Sequence, residues 1–200
     1  MSVTEFTVEE IPRKATVKFI EKHHYSHNVN GVQSLFHFGL YREGNFGLPT
    51  MIGAMMYAHP SMPATAAKYN PINHDKCLEL RRLVCIDDTP KNTESYFIGK
   101  TLRWLKQNTD MEVIVSFADQ HYGHSGIIYK ATNFEHYGET AKGTILMVDG
   151  REMHSRSLNQ LDRPYGRELN RRYKAGDKNI FWKNTKPKHI YVYYLNKKIK

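Results

Sequence analysis

The sequence predicts an α/β fold: a mixed central sheet with helices on both faces, followed by a basic C-terminal extension. Three observations carry this. Segments of strand and helix periodicity alternate in the order β-α-β-β-β-α-β-α-β-β. The β-branched run Val113-Ile114-Val115 reads as a buried strand feeding straight into a polar loop and then a helix. Charge is also uneven: Arg163 to Lys200 holds twelve Lys/Arg against Glu168 and Asp177, a net +10 in a chain of +9, so the first 162 residues carry −1.

Phe6–Ile11 is the first strand. Pro12 suits the first position of a helix, because its φ is already near the helical value and it has no amide to lose there. Ala15, Phe19, Ile20 and His23 lie on overlapping faces of that helix, which runs into His24-Tyr25-Ser26-His27 and stops over 28–31. Ser34–Arg42 and Thr50–Ala58 form a hairpin around Glu43-Gly44-Asn45-Phe46-Gly47. His59–Asn73 has no period and reads as a surface loop or flap. Leu78–Ile86 is a strand whose alternation puts Glu79 and Arg81 on one face and Arg82 on the other.

Asp87–Thr93 has turn chemistry, and Asn92 or Thr93 caps the helix that carries Ile98, Leu102 and Leu105. Arg103 and Lys106 complement the C-terminal dipole of that helix. A loop and a short helix over 126–132 follow the Val113–Val115 strand. Phe134–Gly138 and Thr144–Val148 are strands, Asp149-Gly150 is a turn, Leu158–Lys174 is a helix, and Ile190–Leu195 is a final strand.

Two hundred residues without a Pro/Gly/Ser-rich linker fit a single domain, with a core over 1–150 and the basic, aromatic-containing extension over 151–200. Two cysteines, Cys77 and Cys85, make no disulfide framework and point to a reducing, cytosolic setting. No apolar run is long enough for a membrane span or a signal segment. In the extension, Arg163, Arg167, Arg171, Arg172 and Lys174 interleave with Tyr165, Tyr173, Phe181 and Trp182. Cations there contact phosphates and aromatic rings stack on bases, which predicts a nucleic-acid surface; Lys197–Lys200 reads as a solvated end.

The chemistry gathers after the Val113–Val115 strand. Asp119 at the strand end is the expected base or proton acceptor, and its plainer role is to cap the turn that follows. Ser116 lies just inside the strand, and His121 and His124 share the loop with Asp119. No Cys-x-x-Cys pair is present, and a metal site is not supported. His24, Tyr25 and Ser26 bring an imidazole, a phenol and a hydroxyl to one helix end. Arg82 either serves the site or pairs with Glu79. Tyr129 and Asn133, four apart, share a helix face.

The order strand, helix with a free amino end, strand, helix, together with Ile128-Tyr129-Lys130-Ala131-Thr132-Asn133-Phe134 and Gly138, resembles the GNAT acyltransferase fold. That resemblance implies a GNAT-like mixed, mostly antiparallel central sheet flanked by helices. Leu80-Arg81-Arg82-Leu83, the Asp87–Ser95 stretch, Ser116-Phe117-Ala118-Asp119 with Gly123–Tyr129, and His24-Tyr25-Ser26 resemble the bacteriophage Mom family over residues 20 to 140. Mom proteins modify adenine in duplex DNA at N6 with a carbamoylmethyl (acetamido) group that blocks restriction, in the cytoplasm of the infected bacterium.

The resemblance implies catalytic roles for Asp119, His24, Tyr25 and Ser26. It implies substrate or donor binding by Arg82, Asn92, Ser95, Ser116, His124, Tyr129 and Asn133, and double-stranded DNA as partner. Where GNAT enzymes carry a glycine-rich phosphate loop, this chain has no glycine from Pro90 until Gly99, so acetyl-CoA is not favoured as donor. An aminoacyl (glycyl) tRNA fits a glycinamide-like group, and the donor stays open. An extruded adenine would need an aromatic neighbour, from His59–Tyr69 or at Tyr165. The competing readings are a non-catalytic nucleic-acid-binding module on a degenerate GNAT fold and a GNAT N-acyltransferase acting on another amine.

Overall fold

The computed structural model describes residues 2–29, 31–153 and 155–199; Asn30 and Lys200, named above within the helix stop and the basic end, lie outside them. In chain order the strands are β1 (Thr7–Glu10), β2 (Ser34–Glu43), β3 (Pro49–Ala58), β4 (Cys77–Cys85), β5 (Val113–Asp119), β6 (Glu135–Glu139), β7 (Thr144–Val148), β8 (Arg151–Met153), β9 (Ile180–Asn184) and β10 (Lys188–Tyr194). The helices are α1 (Arg13–His23), α2 (Pro63–Tyr69), α3 (Thr93–Asn108), α4 (Ile127–Lys130) and α5 (Pro164–Lys174). The chain forms two compact units: Met1–Ala118 with Gly126–Gly138 and Ile190–Lys200, and Asp119–Ser125 with Glu139–His189.

The first unit is built on a seven-stranded sheet of order β1-β2-β3-β4-β5-β10-β6. Strands β1 to β4 pair antiparallel, and β4 with β5 is parallel, which makes the sheet mixed as expected. The period-3.6 stripe of α3 is buried: Phe97, Ile98, Leu102 and Leu105 pack on Phe38, Leu40, Met55, Tyr57, Leu78 and Ile114. Tyr57 Oη lies 2.7 Å from Thr101 Oγ1, so the one polar tip in that layer is satisfied, and burial drives its phenol well above the ordinary range. Ile20 of α1 closes a second cluster with Val29, Val32, Ala54, Met56 and Ala58.

The segment after β3 differs from expectation. Within His59–Asn73, α2 forms over Pro63–Tyr69 and buries Ala66 and Tyr69 beside Cys77, Val113, Val115, Ile190 and Val192. Seven residues are two turns, too few for a hydrophobic period to show.

The second unit has a three-stranded sheet of order β8-β7-β9. Asp149 and Gly150 both take positive φ, 49° and 79°, and so join β7 to β8 through a two-residue turn matched to strand twist. Leu146, Val148 and Ile180 pack one sheet face on Leu158 and on Leu169 of α5. The helix starts at Pro164 rather than Leu158, because proline is tolerated in the first turn and breaks a helix interior. Residues Ser155–Asn159 form a separate 3-10 turn. Gly166 is required there: any Cβ would fall on the carbonyl oxygen of Gln160.

Arg172 locks this unit. Its Nη1 and Nη2 reach Asp149 at 2.9 and 2.6 Å, and its Nε reaches Asp177 at 2.7 Å.

Candidate functional site

In the first unit the site is organised by a break in strand pairing. β4 and β5 are in register for Cys77↔Val113, Leu78↔Ile114 and Glu79↔Val115, and beyond these residues the two strands continue without pairing with each other, while β4 stays paired with β3. At the break, the buried Ser116 turns its Oγ to the Leu80 carbonyl at 3.5 Å and hydrogen-bonds the Tyr129 phenol. Tyr129 is held between Tyr191 (5.2 Å between ring centres) and Phe134 (5.5 Å). Burial pushes its phenol up to about 12, so it is a protonated donor at neutral pH.

Tyr25 and Glu79 both lie near enough to Tyr129 and to Arg82 to influence their titration, and of the two only Glu79 is ionised at neutral pH. The Arg82 guanidinium is lowered by burial and by Arg81, and it donates to the Arg81 carbonyl at 2.8 Å and to that of Asn28 at 3.4 Å. Glu79 pairs with Arg81, not Arg82, at 2.8 Å, and Arg81 also binds the Ser61 hydroxyl. Alternation along β4 therefore separates a structural ion pair from the residue turned to Tyr25. The buried His24 accepts the Ser26 amide at Nδ1 (3.1 Å), with Ser26 Oγ 2.8 Å away. The half-exposed Tyr25 ring lies 4.2 Å from that of His24.

The amino end of α3 is not an open phosphate cradle. Asn92 stands in the left-handed region (φ 72°) and makes no side-chain cap, while Ser95 Oγ donates to the Asn92 carbonyl at 3.0 Å. Glu94 occupies the first turn, where its carboxylate satisfies the helix dipole and would repel a phosphate; its charge reaches Cys85, helping burial raise that thiol. Ser95 and Asn133 do meet, in a cleft of about 330 Å³ along α3 that is also lined by Tyr96, Arg103, Lys106 and Thr132.

In the second unit, Asp119 uses both carboxylate oxygens. Oδ1 accepts the His121 amide at 3.0 Å, which is the capping role, and Oδ2 holds the Lys188 ammonium at 2.7 Å. The exposed His124 donates its backbone N–H to the Asp119 carbonyl at 3.2 Å. His121 Nε2 lies 3.0 Å from Glu152 Oε1, Tyr122 donates to Oε2 at 3.3 Å, and Lys183 approaches at 3.5 Å. The hydrogen bond from His121, then Lys183, holds the Glu152 carboxyl below its usual range.

Sequence reasoning missed Glu152, Lys183 and Lys188. A hairpin read through Asp149-Gly150 would have found Glu152, since that turn sets it opposite Met147. Arg163, just before α5, and Arg167, Arg171 and Lys174 on it are exposed. Arg167 donates to the carbonyls of Leu161 and Asp162 at 3.1 and 3.3 Å, Arg171 pairs with Glu168 at 2.8 Å, and Arg172 serves the internal lock.

Among the described residues no group of three or more His, Cys, Asp or Glu is placed to hold a metal ion, and no helix is long and apolar enough to cross a membrane. The sequence matches the Mom protein family over residues 5–200. It is 25% identical over 205 residues to the methylcarbamoylase mom of Escherichia phage Mu, covering 97% of this chain and 77% of that protein. The fold is similar to spermidine N-acetyltransferase from Vibrio cholerae in complex with CoA and spermine, with a TM-score of 0.53 at 9% identity over 98% and 99% of the two chains. It is also similar to the ribosomal-protein-S5-alanine acetyltransferase of Vibrio fischeri, with a TM-score of 0.52 at 9% identity over 96% and 94%. These likenesses bear out the GNAT-like architecture expected from the order of elements.

Proposed function

The chain belongs to the Mom protein family, and from that membership we propose that it is a transferase that modifies DNA. Its product is adenine carrying an N6-carbamoylmethyl (acetamido) group in duplex DNA, which shields that DNA from restriction in the cytoplasm of the infected host.

The observation that carries the reading is the break in β4–β5 pairing, which leaves an open strand edge beside a protonated phenol. An extended donor fits such an edge, because its own amides and carbonyls replace the missing ladder. The lone pair of adenine N6 is delocalised into the ring, so transfer needs a proton acceptor at N6 and a proton donor at the leaving group. Tyr129 supplies the second: as the new N–C bond forms and the bond to the leaving group breaks, its proton goes to that group. Asp119 takes the proton released from N6. His24, Tyr25 and Ser26 hold the base edge, and Arg82 and Ser116 orient the donor. Asn92, Ser95, His124 and Asn133 complete the binding groups. Arg163, Arg167, Arg171 and Lys174 contact the DNA backbone; Arg172 supports them from inside the fold.

The donor stays open: attack of N6 on the carbonyl of a CoA thioester or a glycyl-tRNA gives an N6-acyl adenine, the glycyl one isomeric with the carbamoylmethyl product, whereas the N6–CH2 bond of that product forms only where the leaving group departs from the methylene carbon. Glu94 in the first turn of α3 works against the pyrophosphate of CoA at that helix end.

A second reading is favoured by one specific fact. Both oxygens of Asp119 are engaged, one as a cap and one by Lys188, as befits a structural carboxylate in a nucleic-acid-binding module. One experiment separates the two: co-express the chain with a plasmid, digest the DNA to nucleosides and weigh the deoxyadenosine. A heavier nucleoside that Asp119→Ala abolishes while DNA affinity persists supports the transferase. Unmodified DNA from folded protein supports the binding module.

A further inference from the structure

Strand β9 lies at the edge of the three-stranded sheet. Register sets Glu152, Met147 and Phe181 opposite one another across β8, β7 and β9, so their side chains share a face, and Ile145 with Lys183 follows on that same face. The loop after Asp119 docks there, because His121 and Tyr122 both bond Glu152. Phe181 therefore stands about two strand spacings, roughly 10 Å, from the residue that anchors this loop.

Phe181 is not a packing residue. It is 50% exposed and absent from the unit's core of Leu146, Val148, Leu158, Leu169 and Ile180. Leaving such a ring in water forgoes a burial term that core phenylalanines realise. Its neighbour Lys183 is half exposed on the same face. Of the aromatics the sequence offered for this role, Tyr69 is buried and the Tyr165 hydroxyl is directed to Met153 Sδ at 2.9 Å, and Trp182, also exposed, lies opposite Leu146 on the other face of β9.

We propose that Phe181 is the stacking surface for a nucleobase drawn out of the DNA helix, with Met147 beside it and Lys183 directed to the adjoining phosphate. This rests on the DNA-modifying reading, under which the target base must leave its stack. Stacking on an aromatic side chain is tolerant of base identity but needs a base, whereas phosphate contact does not.

The test uses the full chain and fluorescence anisotropy with two single strands: an oligodeoxynucleotide rich in adenine, and the same strand with abasic sites. Wild-type protein prefers the base-bearing strand. Phe181→Ala lowers affinity for it by roughly 5- to 150-fold, leaves the abasic strand unchanged and keeps the slope of log affinity against log salt. Phe181→Trp restores the preference, which a merely unfolded variant cannot do. Lys183→Ala weakens both strands alike and reduces the slope by about 0.7. The proposal is overturned if Phe181→Ala binds the adenine strand as wild type does, or loses both strands equally. Wild-type protein that modifies plasmid DNA yet shows no base preference overturns this inference alone. Protein that binds neither strand and leaves the plasmid unmodified removes the DNA-modifying reading with it.

Discussion

Gly126→Ala probes the part of the fold on which Tyr129 depends. Gly126 precedes α4 with φ +76°, and a Cβ built there would stand 2.6 Å from Tyr191 Oη and inside the van der Waals envelope of Cε2 and Cζ. Two costs follow. A left-handed conformation at a non-glycine residue costs about 1–2 kcal/mol. Forcing an extra carbon into a packed region costs about 1–3 kcal/mol, and Tyr191, 1% exposed and stacked on Tyr129 and His136, has no free direction in which to yield. The sum is about 2–5 kcal/mol, which urea unfolding followed by circular dichroism measures directly. The displaced ring also moves Tyr129 off Ser116, so modification of DNA falls further than stability does. A double-mutant cycle with Tyr191→Leu separates the two costs: the cramped ring predicts a coupling of about 0.5–3 kcal/mol, with the double variant less damaged than the sum of its parts. A loss below about 1 kcal/mol for Gly126→Ala, with zero coupling, would falsify the packing account.

Tyr129→Phe keeps the ring and removes the proton, so adduct formation on plasmid DNA should drop by roughly 10²- to 10⁴-fold with the fold intact; undiminished adduct would leave the phenol without a chemical role. Stability should fall as pH rises from about 9 to 12. Burial lifts the Cys77 thiol from 9.0 to about 12 and the Tyr129 phenol from 10.0 to about 12, so the unfolded chain releases these protons first. Urea midpoints between pH 8 and 10.5 check this; Cys77→Ala should make the decline shallower without moving its onset, because burial raises the Cys85 thiol from the same 9.0, and a flat curve in the wild type would contradict the burial argument. Arg167→Ala should weaken duplex binding and shrink the salt slope by about 0.9. Arg172→Ala should instead raise the proteolytic sensitivity of 139–189, because Asp149 and Asp177 lose their shared partner; the opposite assignment of effects would reverse the roles given to these two arginines.

How far the sequence could be read follows from where each signal resides. α3 was legible because its buried residues recur at the helical period, and β2, β3 and β4 because each carries a run of consecutive buried residues. β9 was not: four of its five residues are exposed, and with no buried face there is no alternation to detect. The candidate site divides in the same way. Ser116, Asp119 and Tyr129 stood out because they crowd one strand–loop–helix passage. Glu152 and Lys188 are joined to that passage only through register and strand pairing, which no local pattern records.

Charge shows the limit most clearly. The C-terminal excess of +10 is a sum, and a sum does not tell which cations remain available. Arg171 and Arg172 are adjacent and chemically identical, yet α5 turns one outward with Glu168 and points the other at two carboxylates of its own unit. Helical spacing alone could not separate them, because what distinguishes them lies on the β7–β8 turn and in the loop after α5. The strength of a nucleic-acid interface here therefore depends on the cations that bond carbonyls or solvent, Arg167 foremost, and a count of basic residues overstates it by those already neutralised inside the fold.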